Sequence, residues 1–457
     1  MQSAPPIFQS VLADSKHTKQ STKTARTQVL AVFVCSTNRP FPPLLNWPSM
    51  NTAPLVPAEA RAIVLQHITR HNSHPIDHSK ALGRVLAQDV ISSLDLPPFP
   101  NSAMDGYALR ATDLQSAPQI LRLIETIGAG DVATRTVESG TCIKIMTGAP
   151  VPAGADCVVM REETREQNGE VTFEEIAQPG QHIRPKGDDV REGETVFQSG
   201  TLINAAVHAM LASLGQATVE VTVRPRVAIV VTGKELVDVD AQLHPGQIRD
   251  SNSWALRGLV QSCGADVVSV LRTGDTQSEV EEALRLSATE ADVIITSGGV
   301  SAGDFDPVRD VLLSQAEVHF WKVAMKPGKP LLFATLHETP VFALPGNPVS
   351  VMVGFEEFVR PALLKMAGRT AWKRVEVEAM LQNDLNSPSG RTEFVRARLE
   401  QSADGFLAIV SGDQNSGRLS TMARANALLE IAADVTFLPS GTRIRAKLLG
   451  GPEIGGF

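Results

Sequence analysis

A chain of 457 residues is too long for one hydrophobic core and allows roughly three or four domains. With net charge −8, 43% hydrophobic and 20% charged residues, it advertises no basic face for nucleic acid or an anionic membrane, and no apolar run nears the roughly 20 residues of a membrane-crossing helix. Four dispersed cysteines, Cys35, Cys142, Cys157 and Cys263, argue against a zinc site or disulfide framework and fit a reducing compartment, so a cytoplasmic protein is expected.

Residues 1–53 are expected to be a disordered extension, or a stretch translated upstream of a start at Met50. The charges and the short apolar run at 29–34 do not make a secretory signal, and removal of residues 1–49 is expected to leave fold and activity intact. Over residues 57–69, Pro57 at the start and apolar Ala60, Ile63, Val64 and Ile68 predict a helix with one buried face. From Arg84 the texture changes to short β-branched runs broken by Pro and Gly, including PPFPNSAMDGYA and CIKIMTGAPVPAGADCVVM, which predict a β-rich module. Asp105-Gly106 suits a turn as well as a functional loop, and Thr147 presents a hydroxyl at the turn after CIKIM. Residues 202–214 form a second apolar helix closed by Gly215. Pairing of this helix with the first would make the β-rich module an insertion between two pieces of one helical domain.

Residues 226–368 alternate β-branched runs with helical periods, the pattern of a mostly parallel, doubly wound α/β sheet. Thr276 and Glu279 form a capping box, and Asn347-Pro348 reads as an N-cap followed by a proline at the first helical position. In DVIITSGGVSAGDFD a buried strand ends at two glycines and a helix opens at Pro307, so residues 297–303 lie where open α/β sheets bind anions. Asp304 and Asp306 would repel a bare anion there. Asp306 therefore either caps the helix or holds a metal that the anion also touches. Loops 232–235, 273–275, 297–306, 326–329 and 345–347 follow strands, and several of them would converge at one sheet edge. Lys322, Lys326 and Lys329 beside Glu235, Asp275 and Asp306 suit a polyanion held together with Mg²⁺. There is no nucleophile elbow, HExxH or Walker loop. After Trp372, five short alternating strands in roughly 80 residues predict a small antiparallel barrel or sandwich.

Taken in order, PPFPNSAMDGYA, MTGAPVPAGAD, TGKEL, GQIRDSN, SGGVSAGDFD, KPGKP and LPGNPVS resemble the molybdopterin molybdenumtransferases, the molybdenum insertases that include the C-terminal domain of gephyrin. The resemblance implies a homodimer of four-domain chains. These would be a split helical dimerisation domain at 54–75 and 194–224, an inserted β-rich domain at 76–193, an α/β molybdopterin-binding domain at 225–371 and a C-terminal β-barrel at 372–457. It implies a reaction in which adenylylated molybdopterin and molybdate, with Mg²⁺, yield molybdenum cofactor and AMP.

Carried onto this chain, the family's catalytic positions fall on Asp105, Thr147, Asp189, Glu235, Asp275 and Asp306, with Glu235, Asp275 and Asp306 as metal ligands. Substrate would be held by Ser297, Gly298, Gly299, Ser301, Lys322, Lys326, Lys329, Pro345, Gly346, Asn347 and Pro348. A molybdopterin adenylyltransferase and recipient molybdoenzymes are the implied protein partners. Departures are Lys234, where an acidic or amide residue is common, and GDD ending at Asp189 in place of GED. Two other classes compete. An adenylyltransferase would need only residues 226–368, and a non-enzymatic scaffold would be expected to lose the carboxylate set.

Overall fold

The computed structural model describes residues 53–300, 306–387 and 390–450. All but the last residue of the expected extension, together with Ser301 and Asp304, lie outside the described residues.

The alternating segment forms a six-stranded sheet in the order Asp266–Thr273, Arg226–Thr232, Val293–Ser297, Thr339–Leu344, Leu332–Leu336 and Glu317–Trp321. The first four strands are parallel, and Leu332–Leu336 runs antiparallel to its neighbours on both sides. Side chains alternate across the sheet with period two. Val227, Ile229, Val231, Val293 and Ile295 enter one core with helix Asn252–Ser262 and the helical run from Pro348. Ala228, Val230 and Ile294 enter the opposite core with helices Gln277–Glu290 and Pro307–Gln315. Helices thus cover both faces, as doubly wound sheets require.

From Arg226–Thr232 the chain crosses first to Asp266–Thr273 on one side and then to Val293–Ser297 on the other. The order therefore reverses around the strand ending at Thr232, which opens a crevice at the carboxyl ends of two neighbouring strands.

The run after Pro348 is not one regular helix. It is helical over Pro348–Gly354, widens to a π-turn over Phe355–Val359 and resumes over Arg360–Met366. Pro361 has no N–H to give to the preceding turn, a recognised cause of such irregularity. The π-turn places Glu356 and Glu357 side by side in the interior. Each is paired, as burial of a charge demands. Glu356 accepts two bonds from Arg374, and Glu357 lies between Arg61 at 2.6 Å and Lys447 at 2.8 Å.

The two expected helices form at Pro57–Gln66 and Ala205–Ser213, but they do not share a core. Ala60 and Val64 of the first pack beneath the six-stranded sheet, against the π-turn and Arg360–Met366. Val207 and Leu211 of the second pack with Leu86, Val219 and Val221. What rejoins the separated segments is an antiparallel ladder, Ser73–Asp77 on Thr218–Thr222. The intervening segment contains its own six-stranded sheet with two small cores.

After Trp372, strands Thr392–Ser402, Gly405–Val410, Glu376–Leu381, Arg443–Leu448 and Ala427–Ile431 pair in that order, and the last returns to the first. The sheet closes into a barrel. It is not wholly antiparallel, because Glu376–Leu381 and Gly405–Val410 run parallel.

Candidate active site

The crevice at the switch point opens into a cavity of about 810 Å³. Its wall includes Glu235, Asp275, Ser297, Gly298, Gly299, Asp306, Pro345, Gly346, Asn347 and Pro348, so the loops after four strands converge as expected. Gly298 is required by close approach. Its φ is +99°, and a Cβ there would lie 2.5 Å from Thr232 Oγ1.

Asp306 stands in the wall of this cavity. It is 8% exposed and stands at the N-cap of Pro307–Gln315, yet its side chain makes no capping bond. The Arg309 N–H is taken at 3.0 Å by the Gly299 carbonyl, so the glycine loop caps this helix. The Asp306 carboxylate lines the cavity, with Arg309 Nη1 4.0 Å away. The same loop economy limits the anion cradle, because the Gly298 N–H already donates to the Leu344 carbonyl at 3.1 Å.

Asn347 is a second departure from the expected capping. Its side chain donates to Ser416 Oγ at 3.0 Å, and the Val349 N–H is received by the Ser416 carbonyl. A loop from the barrel thus sits on the start of the Pro348 helix, and its Gly417 and Leu419 complete the cavity wall. Arg396, 1% exposed, holds that loop. Its guanidinium donates to the carbonyls of Asp413, Gln414 and Asn415 and to Thr421 Oγ1. Burial depresses the Arg396 pKa, with Asp413 and Glu393 acting in the opposite sense.

The lysines divide. Lys326 and Lys329 line an adjoining cavity of about 370 Å³ that shares Pro330, Pro345 and Asn347 with the first. Lys326 is paired with Glu393 at 2.8 Å. Lys322 lies in neither wall, and its Nζ sits 4.0 Å from the centre of the Trp321 ring.

Sequence reasoning missed Asn252 and the barrel loop. Asn252 Nδ2 donates at 2.8 Å to both Ser297 Oγ and the Gly346 carbonyl, tying two strand-end loops together. Its only signal was its place in GQIRDSN. Nothing in the residues around Ser416 marked them as part of the site.

Asp105, Thr147 and Asp189 lie outside this cavity, whose wall contains no residue before Val231. They belong to three loops stitched together by backbone bonds. The Gly148 N–H donates to the Ser102 carbonyl, Asp189 to Leu96, and Ile183–Arg184 pairs with Asn101–Ser102. Asp105 Oδ1 accepts from the Thr147 N–H at 2.8 Å and its hydroxyl at 2.7 Å. These two bonds, the backbone one foremost, hold the Asp105 carboxyl below its ordinary pKa.

The fold and site define a multidomain class for which family profiles exist. "MoeA N-terminal region (domain I and II)" matches residues 55–215, "Probable molybdopterin binding domain" 228–365 and "MoeA C-terminal region (domain IV)" 378–449. The chain is 41% identical over 377 residues to molybdopterin molybdenumtransferase 2 of Mycobacterium tuberculosis, covering 80% of this chain and 93% of that one. It is 36% identical over 388 residues to the molybdopterin molybdenumtransferase of Staphylococcus epidermidis, covering 84% and 91%. The crystal structure of the molybdopterin biosynthesis moeA protein from Pyrococcus horikoshii OT3 superposes with a TM-score of 0.76 at 33% identity, over 87% of this chain and 100% of that one. The chain belongs to the molybdopterin molybdenumtransferase family, transferases of molybdenum cofactor biosynthesis.

Proposed function

We propose that this protein inserts molybdenum from molybdate into adenylylated molybdopterin, with Mg²⁺, and releases AMP and molybdenum cofactor. The observation that carries the reading is the joining of two cavities at the switch point, one lined by Glu235, Asp275 and Asp306 and the other by Lys326 and Lys329. A volume of about 810 Å³ suits a pterin nucleotide.

The donor set fits Mg²⁺, because all three carboxylates are hard oxygen donors. Among the described residues no group of three His, Cys, Asp or Glu side chains converges on one point. The expected three-carboxylate metal site is thus not assembled among the described residues, and the ion would be held by one or two of these carboxylates together with the phosphates of the substrate. When bound, the ion supplies neutralisation of charge at the pyrophosphate-type linkage. Lys329 and Lys326, the latter paired with Glu393, would supply positive charge to the smaller cavity, and Asn252 fixes the loops that bear Ser297 and Gly346. The smaller cavity, lined also by Arg391, Ser350 and Ser416, suits molybdate, an oxyanion of phosphate-like shape.

The loops of Asp105, Thr147 and Asp189 take part through a homodimer, in which they face the cavity of the other chain. The protein acts in the cytoplasm, receives its substrate from a molybdopterin adenylyltransferase and delivers to molybdoenzymes. An adenylyltransferase confined to residues 226–368 is disfavoured by Gly417 and Leu419, which the barrel contributes to the cavity. The test mixes purified protein, adenylylated molybdopterin, Mg²⁺ and molybdate. Molybdate-dependent AMP release is expected, and release no faster than without protein rejects the reading.

A further inference from the structure

Where the Ser73–Asp77/Thr218–Thr222 ladder meets the α/β sheet, a separate cavity of about 350 Å³ shares no lining residue with the two described above. Arg84, Thr222 and Arg224 line one side, and Gln261, Ser262 and Arg369 the other. Its wall holds three guanidiniums and no Asp or Glu, in a chain whose net charge is −8.

Internal partners do not account for these cations. Arg84 Nη2 donates to the Thr222 carbonyl at 3.0 Å, a neutral acceptor. Arg224 Nη1 reaches Asp266 at 3.4 Å, but that carboxylate is 54% exposed, so water screens the pair. Arg224 Nε is buried and has no hydrogen-bond partner among the described residues. Such a donor normally finds an acceptor. Burial and then the charge of Arg224 depress the Arg84 pKa, with Asp266 acting in the opposite sense.

A purely structural role would be neutralisation of helix C-termini, since Asn252–Ser262 and Arg360–Met366 both end at this cavity. Two such termini offer about half a negative charge each. With Asp266 included, roughly one positive charge is left over. Among the described residues, none of the three arginines donates to a last-turn carbonyl of either helix.

We propose that this cavity binds a small tetrahedral oxyanion of the phosphate, sulfate and molybdate class, held by Arg84, Arg224 and Arg369 across the seam. A tetrahedral dianion presents several acceptor oxygens at once, which matches forked donors arriving from two sides. It would give Arg224 Nε its acceptor and bridge the ladder to the ends of two α/β helices.

The test is calorimetric titration of the full chain with sulfate, phosphate and molybdate in turn, at low ionic strength. A Lys326→Gln/Lys329→Gln protein serves as background, so that anions at the proposed active site do not obscure the seam. Saturable binding near one anion per chain is expected in that background. Added Arg224→Gln or Arg369→Gln should weaken it by roughly tenfold or more. Arg369→Gln removes no side-chain hydrogen bond made among the described residues, so it keeps the test valid if Arg84 or Arg224 variants fold poorly. Similar affinity for all three anions identifies a general oxyanion site, and preference for molybdate identifies a second molybdate site. No saturable binding at millimolar anion, or binding unchanged in both arginine variants, overturns the proposal. AMP release plays no part in the readout, so failure here is distinguishable from failure of the proposed reaction.

Discussion

At the sheet edge, Asp306 is nearly buried, caps nothing and lines a large cavity, whereas Asp105 in the β-rich region is exposed, bonded twice to Thr147 and adjoins no part of that cavity. Both positions carry a family motif. The first carboxylate faces the cavity, with Arg309 Nη1 4.0 Å from it. The second is held below its ordinary pKa by its two bonds to Thr147 and lies outside that cavity. The proposed homodimer would reconcile the two, with the loops around Asp105 of one chain facing the cavity of the other.

The strongest way to break this comparison is Asp306→Asn. Because the carboxylate makes no capping bond, the melting temperature should be nearly unchanged while AMP release falls by about two orders of magnitude. Near-normal release at saturating Mg²⁺ would leave Glu235 and Asp275 as the metal candidates.

Arg396→Met sharpens the cavity side. It leaves the carbonyls of Asp413, Gln414 and Asn415 without their donor and should cost roughly 3 kcal/mol in a denaturant titration. A raised KM is also expected, because the released loop bears Gly417 and Leu419 of the cavity wall. Unchanged stability would mean that the loop is held by other contacts.

Thr147→Val is the mildest probe and addresses the exposed side. Asp105 has a folded-state pKa below its ordinary 3.8, so its contribution to stability is present above that value and is lost as pH falls through the depressed one. Loss of the hydroxyl removes one of the two bonds and should move the Asp105 titration, followed by carboxyl NMR shifts, upward towards 3.8. An unmoved titration would show that the backbone N–H alone sets it.

Much of this architecture was legible in residue patterns, for identifiable reasons. The central strands Arg226–Thr232 and Val293–Ser297 are mostly β-branched runs buried on both faces, and the Thr276–Glu279 capping box forms with both of its reciprocal bonds. Strands Glu317–Trp321 and Leu332–Leu336 escaped notice. The hairpin from Leu336 to Thr339 turns through His337 and Glu338, both at positive φ, where Asn-Gly would normally give the turn away. Helix periodicity announced a buried face on residues 57–66 but not which core would receive it, so the expected helix pairing failed. The converging loops of the site followed from strand order. Asn252, the barrel loop around Ser416 and the replacement of side-chain caps by the Gly299 and Ser416 carbonyls depend on contacts between distant segments, which spacing does not encode.

In the proposed dimer, the cavity and the loops around Asp105 meet between two chains. The most direct measurement mixes inactive Asp105→Ala and Asp306→Ala proteins, allows subunits to exchange and assays AMP release. In a mixed dimer one of the two sites would then combine an intact Asp306 wall with an intact Asp105 loop. Recovery approaching about one quarter of wild-type activity is predicted, given random exchange into half mixed dimers with one working site each. No recovery, with exchange verified by differently tagged chains, would contradict the account and place both carboxylates in the service of a single chain.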